Sequence, residues 1–260
     1  MHDRRFPEGA GVHLSGIAAS SRWTRRPRSP YALCMIFLHE THDVVAGKME
    51  EFWDALRGEW RPLVEADGTA RILWAFELTH GTGASYQAIT ITAVRDWSAW
   101  GALAGRDDAR ARDWRRRSGT LRHEVTAKLL LAATWSPLAT VDLASAPAAE
   151  HPPALYLHDT GWPFPGGVDD YVDALGSIYY PQVRQSQMIS VEACWRVAPG
   201  TGRLHEAILL QKILDWPRFT ELLARGEQGA QRGGWMAAGL TYRDRWESKL
   251  LRTASWSPRG

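Results

Sequence analysis

The apolar and polar positions of this chain trace one pattern twice. Residues 31–40 form an apolar run with Tyr31, Ile36 and Phe37, which predicts a strand. Across 44–60, Met49, Phe52, Trp53, Leu56 and Trp60 recur at helical spacing, and Pro62 predicts the end of that helix. Residues 70–79 and 85–94 are rich in Ile, Thr, Phe and Trp and predict two strands, with a hairpin loop from His80 to Ala84 between them. Asp96 is placed to cap a short helix from Trp97 to Ala104. An Arg-rich helix is expected over 107–118 and a last strand over 125–134. The predicted order is β-α-β-β-α-β.

The second half repeats this order. Strands are expected at 154–159, 188–197, 204–213 and 247–255, with helices at 167–180 and 216–225 and a short one near 229–236. Individual residues repeat as well. Leu38-His39-Glu40-Thr41 recurs as Leu157-His158-Asp159-Thr160, Asp54-Ala55-Leu56 as Asp173-Ala174-Leu175, and Asp96-Trp97 as Asp215-Trp216, all at an offset of 119 residues. Trp114 and Lys128-Leu129-Leu130 recur as Trp235 and Lys249-Leu250-Leu251 at an offset of 121. Ordered blocks at a near-constant spacing mark an internal duplication. The expected organisation is a basic tail over 1–30, a first repeat over 31–137, an Ala/Pro-rich linker over 138–153 and a second repeat over 154–260. A split β-α-β unit gives a four-stranded antiparallel sheet with helices on one face. Leu33 to Leu38 is apolar at odd and even positions alike, so the other face needs cover too. Sheet against sheet, one from each half, is the simplest solution.

Composition narrows the function. A formal net charge of +2 gives no global argument for nucleic acid, and no apolar run approaches the ~20 residues of a membrane span. Cys34 and Cys194 lie in no CxxC and read as reduced thiols of a cytoplasmic protein. Fourteen tryptophans point to aromatic packing or an aromatic-lined cavity. No HExxH and no Cys/His cluster indicates a metal site, and no GxSxG a serine nucleophile. The Gly-Thr-Gly of each hairpin is a turn rather than a nucleotide loop, because a strand follows it. The seven arginines between Arg106 and Arg122 read as a solvated helix face.

Glu247-Ser248-Lys249-Leu250-Leu251-Arg252, followed by Trp256-Ser257-Pro258, resembles the C-terminal signature of NIPSNAP proteins. The Asp-Trp before the second helix and the Pro after the first also fit. The resemblance covers both repeats, although His123 to Ala127 departs from the signature in the first. It implies the dimeric α+β barrel superfamily, which includes antibiotic-biosynthesis monooxygenases. The expected fold class is therefore α+β: two ferredoxin-like repeats forming an intrachain dimeric α+β barrel, a fused dimer. Some relatives hold haem through a His. No cofactor is expected here, with haem as the lesser alternative.

Candidate chemistry falls on positions that the duplication kept or changed. His39 and His158 end the first strand of each half, beside Phe37 and Tyr156 on one face, while Glu40 and Asp159 face the other way. An imidazole against an aromatic wall suits acid–base catalysis. Glu40–Lys128 and Asp159–Lys249 are expected as equivalent ion pairs tying the first strand to the last. Tyr86 corresponds to His205, and Gln87 to Glu206. Such differences suggest one active pocket and one filled. Gly161 to Gly167 resembles a lid with two aromatics. The expected catalytic residues are His158, His39 and His205, and the expected substrate-binding residues are Tyr86, Trp53, Trp74, Trp162, Tyr179 and Trp195. The function expected is a cofactor-independent enzyme acting on a small, largely apolar, aromatic or polyketide-like molecule by His-based cyclisation, isomerisation or oxygenation. The alternative is a non-catalytic binder of a hydrophobic ligand or haem. A small molecule is the expected partner, with no nucleic acid and no membrane, and a homodimer is left open.

Overall fold

The computed structural model describes residues 34–144, 150–203, 205–225 and 234–260. The basic tail of 1–30 lies outside them. The first half runs β1 (Ile36–Val44), α1 (Met49–Ala55), a π turn (Leu56–Trp60), α2 (Arg61–Val64), β2 (Ala70–Leu78), β3 (Gln87–Val94), α3 (Trp97–Ala104), α4 (Ala109–Gly119) and β4 (Arg122–Ala132). The second runs β5 (Leu155–Pro163), α5 (Val168–Ala174), a π turn (Leu175–Tyr179), α6 (Tyr180–Ser186), β6 (Ile189–Val197), β7 (Ala207–Ile213), α7 (Trp216–Ala224), α8 (Trp235–Gly239) and β8 (Arg243–Thr253). Among the described residues no helix is long and apolar enough to cross a membrane.

The eight strands close into one antiparallel barrel in the order β1-β3-β2-β8-β5-β7-β6-β4. Each half supplies four neighbouring strands, and two seams join the halves. At one, Glu77 faces Arg252 and the two form an ion pair at 2.7 Å. At the other, Leu130 faces Val197. The interior is apolar at one level, where Phe37, Trp74, Phe76, Leu130, Tyr156, Trp195 and Leu251 are almost completely buried. Each such side chain contributes on the order of 1.5–3 kcal/mol. Leu138, Val141 and Leu143 of the linker pack against this cluster, so part of the linker contributes to the core although it forms no regular element.

Local chemistry explains the elements. Asp96, Asp108 and Asp215 cap α3, α4 and α7 by accepting from the backbone N–H three residues on. Pro62 does not end the first helix. It sits in the first turn of α2, where its missing N–H costs nothing, and the π turn ahead of it absorbs an extra residue. The strand that holds Gly161 also runs on through Pro163, so the expected lid begins only at Phe164, whose N–H donates to Tyr242 O at 2.9 Å.

The expected Glu40–Lys128 and Asp159–Lys249 pairs are not formed. Lys128 stands opposite His39, and Lys249 opposite His158, one position from the expected register. A one-residue shift moves a side chain to the other face of the sheet. Both lysines therefore point into the barrel, whereas Glu40 and Asp159 point out toward the helices.

Candidate functional site

Two polar arrangements stand out, one inside the barrel and one outside it. Inside, alternation along β1 and β5 turns His39 and His158 toward the axis, where their Nε2 atoms meet at 2.9 Å. Both rings are buried, and neither Nδ1 has a hydrogen-bond partner among the described residues. Burial holds both imidazoles below their ordinary value, His158 at about 3, and the nearby lysine charges add to the effect. Lys128 is paired with the buried Glu206 of the other half, and Lys249 donates to Gln87 Oε1 at 3.4 Å. Gln87 and Glu206 are equivalent positions, so each half reaches across to the lysine of the other.

Outside, a cavity of about 760 Å³ lies between the helices of the second half and the outward face of its sheet. Tyr171, Tyr179 and Trp235 form aromatic walls, with the Trp235 ring centroid 5.9 Å from that of Tyr171 and 5.5 Å from that of Tyr179. Asp159, Gln211 and Arg243 supply its polar groups. The π turn brings Tyr179 to the sheet, where its hydroxyl donates to Gln211 Oε1 at 2.7 Å. Gln211 Nε2 in turn donates to Asp159 Oδ2 at 2.8 Å. The other oxygen, Oδ1, is buried and lies outside the hydrogen-bonding geometry of any described group. Burial pushes the Asp159 carboxyl up to about 6, opposed by the Ser248 hydroxyl, Gln211 and Arg243. Arg243 Nε donates to the Tyr171 hydroxyl at 2.9 Å, and burial pushes that phenol up to about 12.

The equivalent place in the first half is built differently. Where the second half has Gly161, the first has His42, almost completely buried against Phe52 with ring centroids 5.0 Å apart. Its Nε2 lies 3.1 Å from Thr90 Oγ1 and its Nδ1 2.6 Å from Arg122 Nη1. Burial, helped by Arg122, holds His42 at about 3.

Of the residues expected to carry function, only Tyr179 lines the cavity. His39 and His158 face the barrel interior and each other, as do Trp74 and Trp195, which meet edge to face at 6.4 Å. Trp53 packs in the helix layer of the first half against Trp256. Trp162 stacks under the Arg245 guanidinium at 5.2 Å. Tyr86 is 55% exposed at a hairpin end. His205 accepts from Gly166 N–H at 3.4 Å, and both it and Tyr86 adopt left-handed backbone, with φ 59° and 62°. Sequence reasoning missed Gln211, Arg243 and Gly161. The signal was present in the repeat alignment, as His42 against Gly161 and Thr92 against Gln211.

Among the described residues no histidine lines the cavity, and the two barrel histidines hold each other. The described lining of this cavity therefore offers no histidine to hold a haem. Among the described residues no group of three or more His, Cys, Asp or Glu is placed to hold a metal ion.

Fold and site together define a dimeric α+β barrel closed within one chain. No family model and no curated protein matches the sequence. Solved structures do match. An anthrone oxidase-like protein superposes with a TM-score of 0.57 at 11% identity, over 85% of this chain and 92% of its own. A candidate monooxygenase from Fusobacterium nucleatum gives 0.57 at 9% identity over the same shares. A NIPSNAP family protein from Agrobacterium tumefaciens is covered over 98% of its length by 40% of this chain, at 22% identity and a TM-score of 0.35. The first two of these matches show the same α+β barrel fold.

Proposed function

We propose that this protein is an enzyme acting on a small, largely apolar, aromatic or polyketide-like molecule of specialised metabolism, by acid–base chemistry in the cavity of its second half. The observation that carries the reading is Asp159, a carboxylate with one oxygen fixed by Gln211 and the other outside hydrogen-bonding geometry, with the Ser248 hydroxyl near the group, at the wall of an aromatic-lined cavity. A carboxyl raised to about 6 by burial is a stronger base than an exposed one and is still mostly ionised at neutral pH. In this scheme Asp159 accepts a proton from an acidic O–H or C–H of the substrate. Tyr171, Tyr179 and Trp235 hold the flat body of the substrate. Gln211, itself fixed by Tyr179, keeps the carboxylate in place. The resulting substrate anion then rearranges or reacts with oxygen. The histidines inside the barrel take no part.

The full-length chain should be incubated with a panel of anthrones and polycyclic phenols, following absorbance and oxygen uptake. Turnover by the wild type is expected to fall by ~10²–10⁴-fold in Asp159→Asn, the range for losing a positioned base. Binding, read from tryptophan fluorescence, should be retained in that variant. Equal turnover in the two proteins rejects the assignment.

A further inference from the structure

Arg243 is a buried cation whose counterpart in the first half has partners that the second half lacks. In the first half, Arg122 is held at both terminal nitrogens. Nη1 meets His42 Nδ1 at 2.6 Å, and Nη2 donates to Ser118 Oγ at 3.5 Å. The positions equivalent to His42 and Ser118 are Gly161 and Gly239. Arg243 is nevertheless the more buried of the two, at 4% exposure. Its Nε serves the Tyr171 hydroxyl, and its guanidinium lies over the Tyr171 and Trp246 rings at 5.8 and 5.4 Å. Among the described residues, Nη1 and Nη2 have no hydrogen-bond acceptor, and no carboxylate lies within ion-pair distance.

A guanidinium out of water is stable where its charge is matched and its donors are used. Its planar fork suits a carboxylate, which can accept two parallel hydrogen bonds. Arg243 lines the same cavity as Asp159. We propose that the ligand of this cavity is an apolar aromatic carboxylic acid, and that Arg243 binds its carboxylate through the free Nη1/Nη2 edge. This rests on the assignment of the cavity as the ligand site. The first half supplies an internal comparison. There a planar ring against Phe52 brings its own acceptor to the arginine. In the second half the ring is deleted at Gly161; the Tyr171 hydroxyl lies over that glycine and takes the Nε donor, which leaves Nη1 and Nη2 for an acceptor from outside.

The test compares 2-naphthoate and 9-anthracenecarboxylate with their primary amides, by calorimetry on the full-length chain near pH 7.5. The carboxylates should bind at least ~10-fold more tightly than the amides, the gain expected from a charge-assisted pair. Arg243→Gln should erase the preference. A second variant covers the case in which that change prevents folding. Gly239→Ser returns the hydroxyl that Ser118 provides in the first half, and a Cβ there meets Arg243 Nη2 at an ordinary 3.5 Å. It should weaken carboxylate binding several-fold and leave amide binding unchanged. Failure of the wild type to bind either probe, or to prefer the carboxylates, overturns the proposal, as does a preference that survives Arg243→Gln or Gly239→Ser intact. Equal binding of acid and amide, together with turnover lost in Asp159→Asn, removes this inference alone and leaves the enzyme assignment standing.

Discussion

His39 Nε2 and His158 Nε2, equivalent residues of the duplicated sequence, lie 2.9 Å apart inside the barrel. One hydrogen bond between them requires one ring to donate and the other to accept. The pair therefore carries different tautomers at identical positions, and a single proton breaks the symmetry of the barrel. At least one Nε2 must stay unprotonated for this bond to form, and burial disfavours a charge on either ring.

That requirement sets a pH dependence. His158 and His42 sit at about 3, and His39 is likewise held below its ordinary value of 6.5. Below 6.5 the unfolded chain binds these protons and the folded chain does not. Their stabilising effect is thus fully present above about 6.5 and is lost as pH falls toward 3, at up to about 1.4 kcal/mol per pH unit for each ring. Urea midpoints should drop between pH 7 and pH 5. In His39→Gln/His158→Gln the drop should shrink, with His42 carrying the remainder. An identical drop in the two proteins would contradict the burial of a neutral pair.

Gly161 makes room for Tyr171 at the cavity wall. A Cβ at this position would meet the Tyr171 hydroxyl at 2.6 Å, and Tyr171 would have to move off Arg243. Gly161→Ala should cost about 1–3 kcal/mol from overpacking and weaken ligand binding at least ~10-fold. Thermal melts and calorimetry read the two effects. Unaltered affinity would place the ligand elsewhere.

Asp159 gives the site two signatures. Its carboxyl must be ionised to accept a proton, so kcat/KM should rise with pH through about 6 and then level off. Stability runs the other way. A carboxyl raised in the folded state stabilises fully below its ordinary value of 3.8, and that effect is lost as pH rises through about 6. Asp159→Asn should therefore stabilise the fold at pH 8, by about 1–3 kcal/mol. A profile flat from pH 5 to 8, or a destabilised variant, would count against this role.

Glu206 and Gln87 predict a tolerant substitution. Glu206 is buried on Lys128, and removing one partner of a buried pair commonly costs about 3–5 kcal/mol. The equivalent Gln87 already accepts from Lys249. Glu206→Gln should therefore cost only about 1 kcal/mol, well below Glu206→Leu, by urea denaturation. Equal losses would show that Gln does not serve a lysine at this position.

Sequence by itself determined the duplication, the element order and the faces of the first strands. Side chains alternate in a strand, so His39 with Phe37 and Glu40 opposite them follow directly from β1, and the same holds for β5. Only the tertiary structure decided which strands meet. The β2–β8 and β4–β6 seams, and the register that sets Lys128 beside His39 rather than Glu40, depend on pairings distant in the chain. The cavity has the same origin. His42 and Gly161 are visible as a difference between repeats, but whether a missing side chain leaves space depends on what packs around it. Here Phe52 and Arg122 close on the His42 ring in one half, while in the other the Tyr171 hydroxyl lies over Gly161 and bonds Arg243 at the cavity wall. Local patterning is a property of neighbouring residues, whereas a void is a property of several segments packed together.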